Sequence, residues 1–179
     1  MVDPITRTRM SFRLFFVLLV CLLAFIQVLP FSVGDRRWPL PDLVTLLAFA
    51  WVMRRPDYVP AILVGVLVLL GDILFMRPPG LWAALVVIGL EFLRAREHLS
   101  RDLPFLVEWM LVATVLLFMT LGHALILAVF LVDQPVPGLT FMQLIVSAVA
   151  YPLVVAVSRF VLGIRKMAPG EADALGYRL

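Results

Sequence analysis

Five ionisable side chains fall in or at the edges of long apolar runs in this 179-residue chain: Asp42, Asp72, Glu91, Glu108 and His123. Each costs about 2.5–3.5 kcal/mol at the centre of a membrane helix on insertion scales, so each needs a partner or a use. Asp72 lies in LVLLGDILFMRPPG, from Leu67 to Gly80, with Arg77 five residues after it. Asp42 opens another apolar run, and Arg36 and Arg37 stand just before it. These carboxylates and guanidiniums can form a polar site that binds a ligand or a partner. They can equally form an interfacial ion-pair network that locks two helices. His123, in TLGHALI, reads either as a proton relay or ligand contact, or as a neutral imidazole hydrogen-bonded to a neighbouring helix. Glu91 has Arg94 three residues on, a helical pair. Glu91 and Glu108 both read as boundary charges that snorkel or pair.

The catalytic signal is weak. Glu108 and His123 are fifteen residues apart, about 22 Å along one helix, and meet only if that helix breaks. The chain has no HExxH, GxSxG or P-loop pattern. Gly71-Asp72 is similar to the aspartate motif of intramembrane aspartyl proteases, but those need two aspartates on facing spans. Only Asp42 could answer Asp72, and no YD-type motif accompanies it. The single Cys21 excludes an internal disulfide and a Cys-based zinc motif; it reads as a small hydrophobe facing lipid or a helix. The expectation is a protein that is not an enzyme and carries no cofactor or metal.

The elements that position these residues follow from composition. The chain is 63% hydrophobic and 15% charged, against about 45–50% and 25% for soluble domains. Lipid is the expected solvent. The net charge of +3 is scattered in short clusters, which argues against nucleic acid. Six apolar segments stand out, at about 11–29, 40–53, 59–76, 81–93, 105–132 and 139–162, giving an all-α membrane domain over 1–163 and a polar cytoplasmic tail over 164–179. The first segment reads as a helix rather than a signal peptide, because no small-residue cleavage site precedes Pro30. Pro41 fits the first turn of the second helix, with Asp42 complementing its positive end. Trp38 and Trp51 read as interfacial anchors. Segments 40–53 and 81–93 are short, which leaves open whether they span fully. The fifth segment is long enough to tilt, or to break near Gly122. Pro152, inside the sixth, frees a carbonyl, and a kink is expected there.

With the N-terminus in the cytoplasm, twelve Lys and Arg fall on the inner side and three, Arg36, Arg37 and Arg77, on the outer. That bias predicts six spans with both termini cytoplasmic. It also gathers Asp42, Asp72 and Arg77 near the outer face. Ala61 with Gly65, and Ala124 with Ala128, are small-xxx-small pairs that permit close helix packing.

The stretch Pro39 to Leu85 resembles the rod shape-determining protein MreD family, in a form similar to alphaproteobacterial members. The matching marks are Pro41-Asp42 opening a short apolar run, Arg54-Arg55-Pro56, Gly71-Asp72 closing a glycine-bearing helix, and Pro78 with Gly80-Leu81 before the next helix. The resemblance implies a non-enzymatic inner-membrane subunit of the bacterial cell-elongation complex. It implies a periplasmic coiled-coil MreC-like partner and, indirectly, the MreB-like cytoskeleton, the glycosyltransferase RodA and a class B penicillin-binding protein. It also implies a fold similar to the six-helix substrate-binding subunits of energy-coupling-factor vitamin transporters, with an outward pocket beside Asp72, Asp42 and Arg77. A vitamin-binding subunit of such a transporter is the alternative reading; its pocket would want more polar and aromatic side chains.

Overall fold

A helix that is apolar all round leaves no face for water and belongs in an interior. The computed structural model describes residues 4–28, 40–100, 104–132, 136–160 and 163–164. Among these residues the chain is all helical: α1 Pro4–Val28, α2 Leu43–Val52, α3 Ala61–Leu74, α4 Leu81–Ser100, α5 Phe105–Val129 and α6 Pro137–Phe160, with a 3-10 turn at Pro56–Tyr58. The all-round apolar helix is α2, LVTLLAFAWV, in which every residue from Thr45 to Val52 is buried. It packs against α6, α4, α1 and α3.

The remaining helices alternate in direction around α2. At one end, called here the Asp57 end, Arg9 pairs with Asp57 at 3.4 Å. Two guanidinium nitrogens of Arg13 donate to the Asp57 carbonyl at 3.1 and 2.9 Å. Phe12 stacks on Tyr58, and Arg94 donates to the Val59 carbonyl. The start of α1, the 3-10 turn and the second half of α4 therefore meet there. The opposite, Asp72 end gathers the end of α3 and the starts of α2 and α4.

Three helices are long and apolar enough to cross a membrane: α1 over Arg9–Gln27, α5 and α6. Their outward faces carry apolar side chains at helical spacing. Met10, Leu14, Leu18 and Leu22 line α1; Phe141, Ile145, Val149, Leu153 and Val157 line α6. Continuous exposed stripes of this kind exceed what a water-soluble monomer displays and match a lipid-facing surface. By length, α2 with 10 residues rises about 15 Å and α3 with 14 residues about 21 Å, both less than a bilayer core of about 30 Å.

Several boundaries differ from the sequence expectation, each for a local reason. Pro41 lies outside α2, because Asp42 is the N-cap and its side chain accepts from the Thr45 amide. Pro60, extended at φ −62° and ψ 143°, is the N-cap of α3, so that helix begins at Ala61 rather than 59. It ends at Leu74 rather than 76, closed by Met76 in the left-handed region at φ 51°. There the Met76 amide donates to Ile73 and the Arg77 amide to Asp72, the double closure of a Schellman motif. The same closure, with Leu131 at φ 54°, stops α5 at Val129 rather than 132. Helix α4 runs on past 93 to Ser100, since EFLRARE is built of good helix formers and Glu91 pairs with Arg94 at 2.9 Å. Helix α5 is unbroken at Gly122, and α6 is continuous through Pro152.

Pro152 has no N–H to give the carbonyl four residues back, that of Ala148. The indole Nε1 of Trp109 on α5 donates to that carbonyl at 2.8 Å. The orphan made by the proline thus becomes a joint between α5 and α6. Gly65 faces Val87 of α4, where an added Cβ would lie 3.1 Å from Cγ2, so the Ala61–Gly65 pair serves packing within the chain. At the start of the expected tail, Ile164 is only 2% exposed and its amide donates to the Ser158 carbonyl. That residue belongs to the core. The rest of the expected tail, with Arg165, Lys166 and Arg178, lies outside the described residues, as do Arg36, Arg37, Trp38 and Arg101.

Candidate functional site

At the Asp72 end two carboxylates act as helix caps. Asp42 Oδ1 accepts from the Thr45 amide at 3.1 Å, and Oδ2 accepts from the Thr45 hydroxyl at 2.8 Å. A negative group at this position satisfies an orphan N–H and complements the helix dipole. The same Oδ2 accepts from Trp82 Nε1 of α4 at 2.9 Å, and the Asp42 amide donates to Ser147 Oγ of α6 at 3.2 Å. One residue thus starts the central helix and ties it to two neighbours.

Asp72 is 1% exposed and caps a helix other than its own. Its Oδ2 accepts from the amides of Gly80 and Ala83, both at 3.2 Å, at the start of α4. Its carbonyl accepts from the Arg77 amide at 2.9 Å, closing α3. Both ends of the α3–α4 connection are therefore fixed by one residue, which explains a carboxylate inside an apolar run. Gly80 turns into α4 at φ 87°, a conformation that favours glycine.

A cavity of about 730 Å³ opens beside these caps, between the later halves of α1 and α3 and above the start of α2. Its walls are mostly apolar, with Val20, Cys21, Leu67 and Leu70 among them, and Asp42, Asp72, Arg77, Trp82 and Gln143 supply its polar edge. The expected gathering of Asp42, Asp72 and Arg77 is therefore found, but as hydrogen-bonded caps rather than an ion-pair network. Arg77 forms no ion pair among the described residues; its exposed guanidinium lies over the Phe75 ring at 5.6 Å. Arg36 and Arg37 fall outside the described residues, so their part in this group has no structural account. His123 is half-buried and meets Trp82 edge-to-face at 5.5 Å. Among the described residues it makes this ring contact in place of the expected hydrogen bond to a neighbouring helix.

Of the deepest polar group the sequence singled out Glu108 but neither of its partners, Arg54 and Tyr151. Glu108 is fully buried, and its Oε1 lies 2.9 Å from Arg54 Nη1 and accepts from the Tyr151 hydroxyl at 2.8 Å. Arg54, 5% exposed, also donates to the Ala50 carbonyl at 2.8 Å, covering the last turn of α2. So α2 carries an anion at its N-terminus and a cation at its C-terminus, both favourable to its dipole. Of the two expectations for Glu108, snorkelling or pairing, the structure shows pairing, at a fully buried position. Arg54 and Arg55 both follow the all-apolar helix in the sequence, and nothing in their spacing reveals which of them contacts α5. Among the described residues no group of His, Cys, Asp and Glu is arranged to hold a metal.

Comparison of the chain with protein-family profiles, with curated proteins and with solved structures finds no significant match.

Proposed function

We propose that this protein is a non-catalytic membrane scaffold of the MreD type, with six spans in the inner membrane and both termini in the cytoplasm. The observation that carries this reading is where the MreD-like block falls. Asp42 starts α2, Arg54 closes it, Asp72 joins α3 to α4, and Gly80 makes the turn into α4. These four marks of the resemblance are joints at helix ends, which is what a scaffold requires. In this reading the short α2 and α3 complete their crossings through flanking segments shielded by the other helices. The partner is an MreC-like periplasmic coiled-coil protein, whose juxtamembrane segment docks on the outer ends of α1 and α3. The MreB-like cytoskeleton, RodA and the class B penicillin-binding protein are reached through it.

The cavity favours a second reading, a vitamin-binding subunit of an energy-coupling-factor transporter. Its volume of about 730 Å³ falls within the range of about 300–1,000 Å³ common for small-molecule sites. Its mostly apolar wall and few polar groups make it the poorer fit.

Mild-detergent purification of the tagged protein, followed by mass spectrometry of what accompanies it, separates the two. A single-span periplasmic coiled-coil protein, with or without cell-wall synthases, is the expected companion. ATP-binding cassette subunits with a membrane coupling protein would overturn the scaffold reading.

A further inference from the structure

Asp72 uses only one of its carboxylate oxygens. Oδ2 takes both amides of α4, whereas Oδ1 receives no hydrogen bond among the described residues, and the residue lines the cavity. Oδ1 is not among the fully enclosed polar atoms that lack a partner, so this otherwise buried carboxylate on the cavity wall keeps an acceptor that a donor can reach. Arg77, held one turn away through its amide bond to the Asp72 carbonyl, brings an exposed guanidinium to the same edge. The cavity therefore has a buried anionic acceptor and an outer cationic donor at one end. From there its apolar wall runs along α1 and α3 toward Val20 and Leu67. Both of these helices expose apolar stripes to lipid.

We propose that this cavity binds one zwitterionic phospholipid with a primary ammonium headgroup, of the phosphatidylethanolamine class. The ammonium donates to Asp72 Oδ1, the phosphate meets Arg77, and an acyl chain lies between α1 and α3. A quaternary choline headgroup has no N–H to give, and a glycerol headgroup has no cation, so the site selects among lipids of similar size. The inference stands on the cavity and does not depend on the scaffold reading; a partner segment on the outer helix ends would cover the bound lipid.

The test uses the full-length purified protein with dioleoyl phosphatidylethanolamine, phosphatidylcholine or phosphatidylglycerol, with retained lipid counted by native mass spectrometry. One charge-assisted hydrogen bond predicts about tenfold preferential retention of the ethanolamine lipid over the choline lipid. Asp72→Asn keeps an acceptor for the α4 amides but turns a donor toward the ammonium, and is expected to abolish that preference. Arg77→Gln, at an exposed position, is expected to weaken retention of all three lipids, since each carries the phosphate, while leaving the preference for the ethanolamine lipid in place. Cys21, on the cavity wall, provides a second readout: its alkylation by monobromobimane should slow when the ethanolamine lipid is added. Equal retention of all three lipids, or an undiminished ethanolamine preference in a folded Asp72→Asn protein, would overturn the proposal. Should Asp72→Asn fail to fold, unchanged lipid retention by Arg77→Gln together with unprotected Cys21 would do the same.

Discussion

At the scale of single residues, a buried charge depends on its partner, so removing one member of a pair leaves the other uncompensated. Arg54 and Glu108 illustrate this, with Tyr151 giving the carboxylate a second hydrogen bond. Removing one partner of a buried pair strands the other charge in a low-dielectric interior, at a cost of about 3–5 kcal/mol. Arg54→Met and Glu108→Gln are each expected to destabilise by about that amount, and the double variant by clearly less than the sum. Thermal unfolding followed by circular dichroism in one detergent measures the cycle; strictly additive effects would mean that the pair contributes no coupling. Tyr151→Phe should cost about 1.5–3 kcal/mol, the range for a hydrogen bond to a charged group. The pair was only half legible in the sequence. Local spacing identifies Glu91 with Arg94, since a helix brings them together. Arg54 and Glu108 are fifty-four positions apart, and only the placement of α5 beside the end of α2 makes them partners.

At the scale of helices, Pro152 shows how one element's defect becomes another's attachment. The proline leaves the Ala148 carbonyl without its helical donor, and Trp109 supplies one from α5. Trp109→Phe should therefore cost about 1–3 kcal/mol, the penalty of an unsatisfied buried acceptor. In a Pro152→Ala background the helix provides its own N–H, and the same Trp109→Phe change should cost much less. The cycle is read by thermal unfolding, and an equal cost in both backgrounds would show that the indole bond does not compensate the proline. The glycines allow a sharper contrast. At Gly89 an added Cβ would lie 2.9 Å from Met119 Sδ, 3.0 Å from Val115 Cγ1 and 3.1 Å from Phe49 Cζ, whereas at Gly71 nothing lies within 4 Å. Gly89→Ala should destabilise by about 1–3 kcal/mol through overpacking. Gly71→Ala should stabilise α3 by up to about 1 kcal/mol through helix propensity. Apolar runs and prolines made the helices themselves readable. Their ends were less so, because Met76 and Leu131 occupy left-handed positions that a sequence reader assigns to glycine. What receives a freed carbonyl, or which glycine faces a neighbour, is a property of packing between helices.

At the scale of the whole molecule, the fold separates two chemically distinct ends, and that separation gives the membrane orientation a direct test. The Asp57 end joins Arg9, Arg13 and Arg94 to the 3-10 turn, and carries Arg54 within. The Asp72 end has Arg77 alone among the described Lys and Arg residues. The inner excess of basic residues predicts that the Asp57 end is cytoplasmic. Arg77 and Arg96 are both exposed, and they flank the start of α4 and its last turns. Leu81 and Arg96 are fifteen positions apart along α4, about 22 Å of helix, enough to carry the chain most of the way through a bilayer core of about 30 Å. In a Cys21→Ser background, Arg77→Cys should react with a membrane-impermeant maleimide added to intact cells with a permeabilised outer membrane. Arg96→Cys should react only after the inner membrane is opened. The reverse pattern would invert the orientation and place the cavity in the cytoplasmic leaflet. Labelling of both positions from one side would mean that α4 does not cross, and the alternation of six spans would fail with it.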